Sequence, residues 1–181
     1  MKNVLSKFKD YEIKKITEKE IDEVLALCKP NVEYYKSTHA VADYDDIRKS
    51  MTMLPKNTQL NQKYFVGLYK DSKLVAILDI IDGYPRPKMA FIGLFMLDVE
   101  YQGKGIGKSI IKELLTLLNE ENYQECRLGV VQGVKRSYAF WTSLGFQKMD
   151  IVIDAGDYNI VMLSCNIKEL NIKNNCSSKN L

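Results

Sequence analysis

Two hydrophobic periods alternate along the chain, and each indicates one kind of secondary structure. Seven short segments either alternate apolar and polar positions or are rich in branched and aromatic residues, as strands are. These predicted strands are residues 11–16, 64–70, 73–81, 90–97, 127–131, 147–153 and 158–165. The pair Asp71-Ser72 and the segment 154–157 each separate two neighbouring strands, so both predict hairpins.

Apolar positions spaced three and four residues apart predict four helices. The first opens at Thr17, which forms a capping box with Glu20, and it ends before Pro30. The others are predicted at residues 44–53, 106–118 and 134–144, whereas residues 31–42 show no clear period and 56–63 form a polar loop. Because these helices interrupt a largely antiparallel sheet, we expect an α/β sandwich with one strand–helix–strand unit at 90–131.

A glycine-rich segment connects the predicted strand 90–97 to the helix that follows it. It reads Gln102-Gly103-Lys104-Gly105-Ile106-Gly107-Lys108-Ser109. Glycines let backbone N–H groups approach a phosphate closely, and a helix N-terminus adds partial positive charge. The segment therefore predicts a binding site for a phosphate-bearing ligand.

Two nucleotide-binding motifs fit this segment poorly. A P-loop needs a glycine, four intervening residues and then Gly107-Lys108-Ser109, but the position of that first glycine is Gln102. A dinucleotide fingerprint beginning at Gly103 needs its third glycine at position 108, which is Lys108. A tight turn without a ligand is the remaining alternative.

The same segment resembles a known family signature. Gln102-x-x-Gly105-x-Gly107 is similar to the Gln/Arg-x-x-Gly-x-Gly/Ala signature of the GNAT N-acetyltransferase superfamily. Residues 138–146, which end in Leu-Gly-Phe, resemble the family's last helix. The resemblance covers residues 11–165 and implies an α/β (α+β) fold: a mixed, mostly antiparallel sheet of about six or seven strands flanked by about four helices.

Size and composition are compatible with one globular domain. The 181 residues are 46% hydrophobic and 27% charged, so we expect a domain at 1–165 and a polar, flexible tail at 166–181. No apolar run reaches the roughly 18 residues of a membrane span, and the N-terminus lacks a signal-peptide core. A cytoplasmic protein that does not bind membranes is expected.

Charge and cysteine usage argue against two other classes. The net charge of +3 is too small for a dominant nucleic-acid surface, so no nucleic-acid partner is expected. The four cysteines (28, 126, 165 and 176) form no C-x-x-C pair, and His39 is the only histidine. This pattern predicts neither disulfides nor a metal site.

The resemblance implies that the phosphate-bearing ligand is acetyl-CoA. Backbone N–H groups of the signature segment would face the CoA pyrophosphate, and its cofactor-binding residues would be Gln102, Gly103, Lys104, Gly105, Ile106, Gly107 and Lys108. The side chains of Lys104 and Lys108 either add charge or are solvated surface lysines. The family places the pantetheine arm along the backbone near Met96 and Leu97, with the thioester oxygen near the Leu97 N–H.

The catalytic groups depart from the family pattern. Many relatives use a Glu on the fourth strand as the base, where this chain has Gly93 and Leu94. Candidate replacements are Asp79, Asp82, His39 and Glu100. Of these we single out Asp79, which lies near the end of the third strand and could act through water; a solvated or capping role is the alternative.

The general acid also differs. Relatives often carry a Tyr where this chain has Trp141, and a family asparagine at the start of this helix is replaced by Val134. An indole N–H is a donor but not a useful acid. Tyr138, one turn earlier, is the candidate acid, with core packing as its alternative role.

The acceptor pocket in this superfamily is formed by the first two helices and the turn between the third and fourth strands. Those regions supply the candidate substrate-binding residues Tyr34, Tyr35, His39 and Tyr84. Aromatic rings near carboxylates suit a cationic amine. We therefore predict an N-acetyltransferase acting on a small-molecule or peptide amine by direct transfer in a ternary complex.

Two further expectations remain open. The alternative function is a catalytically weak CoA-binding sensor or interaction domain, which the missing Glu and Tyr would explain. Strand edges near the C-terminus could pair with a second copy to form a homodimer, as in many relatives.

Overall fold

The structure is a computed structural model, and it describes residues 1–169. Packed structure continues two residues past the predicted domain boundary, because Ile167 is 1% exposed and belongs to the core. Residues 170–181, most of the predicted flexible tail, lie outside the described residues, so their flexibility stays a prediction.

Within residues 1–169, seven strands form one sheet, as the pattern predicts. They are β1 (Glu12–Lys15), β2 (Lys63–Lys70), β3 (Lys73–Asp82), β4 (Met89–Leu97), β5 (Glu125–Val131), β6 (Gln147–Asp154) and β7 (Asn159–Asn166). Their spatial order is β1-β2-β3-β4-β5-β7-β6. Only β4 and β5 are parallel neighbours, which confirms a mixed, mostly antiparallel sheet.

Six α-helices with complete bounds lie in the described part of the chain. They are α1 (Lys2–Leu5), α2 (Ile21–Cys28), α3 (Val32–Ser37), α4 (Tyr44–Thr52), α5 (Ile106–Glu120) and α6 (Lys135–Thr142). The sequence pattern did not predict α1 and α3. Both are short, and α3 buries only Tyr35, so neither generates a readable helical period.

The predicted capping box and the predicted β2–β3 hairpin turn are both present in the structure. The Thr17 Oγ1 accepts a hydrogen bond from the Lys19 N–H (3.3 Å), and the Glu20 carboxylate accepts one from the Thr17 N–H (2.8 Å). This capping box starts a 3₁₀ turn that leads into α2. At the β2–β3 hairpin, Asp71 and Ser72 both have positive φ, as a two-residue hairpin turn with primed geometry requires.

Two hydrophobic cores cover the two faces of the sheet. One face packs against α1, α5 and α6, and the predicted α5 stripe is buried there, including Ile110 and Leu114 at 0% exposure. The opposite face packs against α2, α3 and α4, where Val24, Ile47 and Ile77 belong to the core. The sheet is therefore a central layer between two helical layers.

The parallel strands β4 and β5 separate partway along their length. Residues 89–92 of β4 pair with 125–128 of β5, and no pairing continues beyond them. At this level Gly93 is an extra residue in β4, because Asp79 is opposite Leu94 and Ile80 is opposite Ile92. A bulge of this kind bends a strand, and the later halves of β4 and β5 leave a gap between them.

Candidate active site

The gap between β4 and β5 opens into a cavity of about 860 Å³. One wall consists of Phe95, Met96 and Leu97 from β4, and another of Gly129, Val130 and Val131 from β5. The rest of the lining comes from α3 and α6 with the residue before each, and from the glycine-rich segment with the start of α5. It includes Asn31, Glu33, Tyr34, Ser37, Gln102, Gly103, Gly105, Gly107, Lys108, Val134, Arg136, Ser137, Phe140 and Trp141.

The glycine-rich segment forms one end of this cavity and can bind an anion. Gly105 is the N-cap of α5, has φ of 80° and makes no side-chain cap hydrogen bond. The first intrahelical bond runs from the Ser109 N–H to the Gly105 carbonyl (3.0 Å), so the N–H groups of residues 106–108 have no intrahelical acceptor. The space that a side chain at Gly103 or Gly105 would occupy is open, with no heavy atom within 4 Å of an added Cβ.

Leu97 offers a further backbone donor deep in the gap. The neighbouring Asp98 N–H bonds to the Val75 carbonyl of β3 (2.9 Å). Because antiparallel strands alternate the direction of their backbone groups, the Leu97 N–H points away from β3 and into the gap. By the same alternation the backbone groups of Met96 face β3. Of the two residues predicted to contact the pantetheine arm through their backbone, only Leu97 directs its N–H into the gap. Met96 is part of the cavity lining but directs its backbone groups at β3.

The shape and donors of the cavity fit a long ligand with phosphates at one end. A model of the acetyltransferase (GNAT) family matches residues 21–146 of the chain. The chain belongs to the GNAT acetyltransferase family. A search of curated proteins finds no significant sequence match.

Solved GNAT structures share the fold at low sequence identity. An acetyltransferase from Thermus thermophilus is 14% identical with a TM-score of 0.67, over 87% of this chain and 97% of that one. The ribosomal-protein-S18-alanine N-acetyltransferase from Escherichia coli is 15% identical with a TM-score of 0.61, over 87% and 94%. The PaiA N-acetyltransferase from Thermoplasma acidophilum, solved in complex with coenzyme A, is 18% identical with a TM-score of 0.61, over 87% and 99%.

Family membership makes this protein an acyltransferase, so the placement of its candidate base matters. Asp79 lies within β3, not at its end, and its Oδ2 is 2.7 Å from the Lys63 Nζ of β2. Burial raises the pKa of Asp79, and the hydrogen bond and charge of Lys63 oppose the rise. Among the residues that the structure describes, no group donates a hydrogen bond to Asp79 Oδ1, which is itself buried.

Asp79 occupies the space beside Gly93, which is one of the two β4 positions, with Leu94, where the family resemblance implies a Glu base. A Cβ added at Gly93 would lie 2.5 Å from the Asp79 Oδ2. Gly93 and Gly129 are exposed although both lie in central strands, so solvent reaches the backbone here. The carboxylate of Asp79, on the neighbouring strand, thus lies where a side chain at position 93 would begin. Asp79 is nevertheless not in the lining of the cavity itself.

The other candidate bases are engaged elsewhere. Asp82 accepts hydrogen bonds from the Tyr123 hydroxyl (2.6 Å) and the N-terminal ammonium of Met1 (3.4 Å). Glu100 is an exposed partner of Lys73, which lowers the pKa of Glu100. Neither Asp82 nor Glu100 lines the cavity.

Helix α6 presents Ser137, Phe140 and Trp141 to the cavity, but not Tyr138. Trp141 is 7% exposed and packs edge-on against the rings of Phe140 and Phe146, at 5.0 and 5.3 Å. Tyr138 is 38% exposed. Successive helix positions differ by about 100°, so a position next to a lining residue can face solvent. The geometry therefore does not support Tyr138 as the acid, and Ser137 is the hydroxyl that sequence reasoning missed.

Of the four predicted substrate-binding residues, the structure places only Tyr34 in the cavity lining. Tyr35 is buried in the core, and its hydroxyl donates to Asp46 (3.4 Å). His39 stacks on Tyr158 of the β6–β7 turn with ring centroids 6.3 Å apart.

Tyr84 packs edge-on against Phe91, near the opposite end of β4 from the cavity. Tyr35 and Tyr84 thus have packing partners away from the cavity, and His39, in the loop between α3 and α4, lies against the β6–β7 turn.

The hydroxyl of Tyr34 has a raised pKa. The residue is 40% exposed overall, yet the protein atoms around the hydroxyl raise its pKa by desolvation. Negative charge at Asp46 and Asp79 adds to this rise. Tyr34 is therefore neutral at physiological pH and can donate a hydrogen bond on the same side of the sheet as Asp79.

Residues 1–169 show neither a metal site nor a membrane span. They contain no group of three or more His, Cys, Asp or Glu side chains arranged to hold a metal ion. No helix in this range has both the length and the apolar composition to cross a bilayer.

Proposed function

We propose that this protein transfers the acetyl group of acetyl-CoA to a primary amine of a small molecule or peptide, directly and in a ternary complex. The observation that carries this proposal is the continuity of one cavity from the free N–H groups of α5 to the gap beside Leu97. A ligand with phosphates at one end and a thioester at the other matches both ends.

The glycine-rich segment would hold the cofactor phosphates. Its donors are the N–H groups of residues 106–108, and the open positions at Gly103 and Gly105 leave room for a pyrophosphate. Lys108 lines the cavity and would add positive charge, whereas Lys104 is exposed outside the lining. The apolar walls from β4 and β5 suit the pantetheine arm.

The Leu97 N–H would stabilise the negative charge that develops on the thioester oxygen. When bound, acetyl-CoA supplies the reactive acetyl thioester. One backbone donor aimed at such an oxygen is worth about 2.7–4 kcal/mol in other enzymes. The Leu97 carbonyl accepts hydrogen bonds from Gln102 and Asn31, so this end of β4 is held in place.

Asp79 would accept the proton of the attacking amine, through one water molecule. Its carboxylate lies beside exposed Gly93, and its Oδ1 has no donor among the described residues. Lys63 favours the ionised form that a base needs. The leaving group needs no dedicated acid, because a thiol with a pKa of about 8.5 can leave as a thiolate.

The acceptor amine would enter on the sheet face that carries Tyr34 and Asp79. An aromatic ring and a carboxylate on the same face suit an amine that arrives as an ammonium ion and must lose a proton. Tyr34 is the residue we assign to acceptor binding.

A second copy of the chain is a proposed partner. Strand β6 is an edge of the sheet, and its Ile151, Val152 and Ile153 are 43–55% exposed. Exposed apolar edge strands favour pairing with another chain. Light scattering after size exclusion would give a dimer mass if this proposal holds and a monomer mass if it fails.

Release of CoA thiol from acetyl-CoA, measured with a panel of amines, tests the proposed function. The panel should contain polyamines, amino acids and peptides with free N-termini or lysines. Amine-dependent release supports acetyl transfer. Binding of acetyl-CoA without release for any amine would instead favour a CoA-binding sensor, for which the glycine at position 93 is the motivating observation.

A further inference from the structure

The side chain of Gln102, the first residue of the family signature, is engaged within the protein. Its Nε2 donates to the Asn31 Oδ1 (2.8 Å) and to the Leu97 carbonyl (3.0 Å). Its Oε1 accepts a hydrogen bond from the Arg136 guanidinium (3.0 Å). The reverse orientation of the amide would place oxygen against oxygen and N–H against guanidinium, so the donors and acceptors fix one orientation.

The backbone of Gln102 is also engaged, since its N–H donates to the Val99 carbonyl (3.2 Å). Gln102 lines the cavity, but its donors are all directed at protein groups. Its contribution to the site must therefore come through the elements that it joins.

Asn31 is the other half of this link. It is the N-cap of α3 but makes no side-chain cap bond to its own helix. Its Nδ2 donates instead to the Leu27 carbonyl in α2 (2.9 Å) and to the Leu97 carbonyl (3.2 Å). Gln102 and Asn31 together connect the start of α3, the end of β4 and the glycine-rich segment.

A second connection to α3 is weaker. The Arg136 guanidinium also pairs with Glu33 of α3 at 3.2 Å, but the two side chains are 65% and 62% exposed. Ion pairs this exposed contribute little, because water screens them. The half-buried Gln102–Asn31 bond is thus the connection expected to hold α3.

We propose that Gln102 is a positioning residue that ties α3, with Tyr34, to the glycine-rich segment, so that acetyl-CoA binding orders the acceptor side. The inference rests on the proposed function for the roles of the segment and of Tyr34. Loss of the link leaves the N–H donors of α5 in place but weakens the attachment of α3, which keeps only the bonds of Asn31 to the Leu27 and Leu97 carbonyls and the exposed Arg136–Glu33 pair.

Gln102→Glu tests the link selectively. A glutamate keeps an acceptor for Arg136 but loses the donor to Asn31 and Leu97. Gln147→Glu, at an exposed position of β6, is the matched control. Hydrogen exchange of α3 and α4 is measured with and without acetyl-CoA, whose binding is followed by fluorescence of Trp141, the only tryptophan of the chain and part of the cavity lining.

In the free protein, α3 should exchange about tenfold faster in Gln102→Glu than in wild type, because the hydrogen bond from Gln102 to Asn31 is lost. Exchange in α4 should not change. Acetyl-CoA should slow α3 exchange in wild type and in Gln147→Glu but not in Gln102→Glu. With an amine found by CoA release, its KM should rise in Gln102→Glu more than the Kd of acetyl-CoA.

Unchanged α3 exchange in Gln102→Glu would overturn the proposal, and so would equal acceleration in α3 and α4, which indicates general destabilisation. Wild type that binds acetyl-CoA without any slowing of α3 would overturn the ordering step and leave the proposed function standing. Wild type that does not bind acetyl-CoA would overturn the proposed function, and the ordering step with it.

Discussion

Asp79 of β3 and Lys63 of β2 form an ion pair with 2.7 Å between the Oδ2 and Nζ atoms, at side-chain exposures of only 11% and 2%. Partners of a buried pair depend on each other, because either charge alone would be costly there. The pair places a carboxylate beside Gly93, where the family base is missing. Its energetics and its role in catalysis can be tested separately.

The pair should leave a signature in the pH dependence of stability. Burial raises the pKa of Asp79 above its ordinary 3.8, despite Lys63. The folded protein then binds more protons than the unfolded chain in the interval above that value. Stability contributed by protonated Asp79 is present at low pH and is lost as pH rises through the folded pKa.

The double variant Lys63→Met, Asp79→Asn removes both charges and should flatten this dependence. We expect the free energy of unfolding of wild type, relative to the variant, to fall as pH rises from about 4 towards neutral. Urea unfolding at a series of pH values measures it. Parallel curves for the two proteins would show that Asp79 is not shifted in this direction.

Gly93→Ala should disturb Asp79 without touching the cofactor. The new Cβ would lie 2.5 Å from the carboxylate, so the side chain must move. A displaced base should lower kcat by about 10²-fold, the low end of general-base effects, with an unchanged Kd for acetyl-CoA. Gly67→Ala, crowded at 2.7–2.9 Å by the side chains of Tyr69, Leu74 and Ile16 and by no carboxylate, is the control for steric strain. Equal losses of kcat in both variants would remove the assignment to Asp79.

Tyr138→Phe should leave turnover within about twofold of wild type, because surface changes away from a site have small effects. Its ring is 38% exposed and does not line the cavity. Steady-state kinetics of Tyr138→Phe and Ser137→Ala compare the two hydroxyls. A large drop in kcat for Tyr138→Phe alone would restore Tyr138 as the acid.

Tyr34→Phe should raise the KM for the amine by about tenfold, because it removes one hydrogen-bond donor from the acceptor wall. The Kd of acetyl-CoA should not change. Tyr35→Phe is the matched control: it removes a buried hydroxyl outside the cavity, so stability should fall while KM stays constant. Identical kinetic behaviour of the two variants would contradict the distinction between them.

The features that the sequence predicts correctly are those that depend on local chemistry. The glycine-rich segment was identifiable because few residues other than glycine allow the backbone geometry of Gly103 and Gly105, which have positive φ. The sheet followed from residue type and alternation, and the α5 stripe from helical spacing. In each case the signal lies within a few neighbouring residues.

What sequence reasoning missed depends on contacts between distant segments. Lys63 was predicted in a polar loop because lysine is seldom buried, and its partner lies on another strand. The role of Asn31 depends on Gln102, 71 positions away. For Tyr138 the helix was predicted correctly but its rotation relative to the cavity was not, and α3 was too short to produce a period.

Titration of acetyl-CoA by Trp141 fluorescence, with Gly105→Val and Gly156→Val, tests the central claim most directly. Both glycines have positive φ and open space around them, but only Gly105 lines the cavity. Valine at 105 should weaken binding by about 100-fold, because it blocks the N–H donors of α5, whereas valine at 156 should bind like wild type. Unchanged binding by Gly105→Val would contradict the assignment of this segment to the cofactor phosphates.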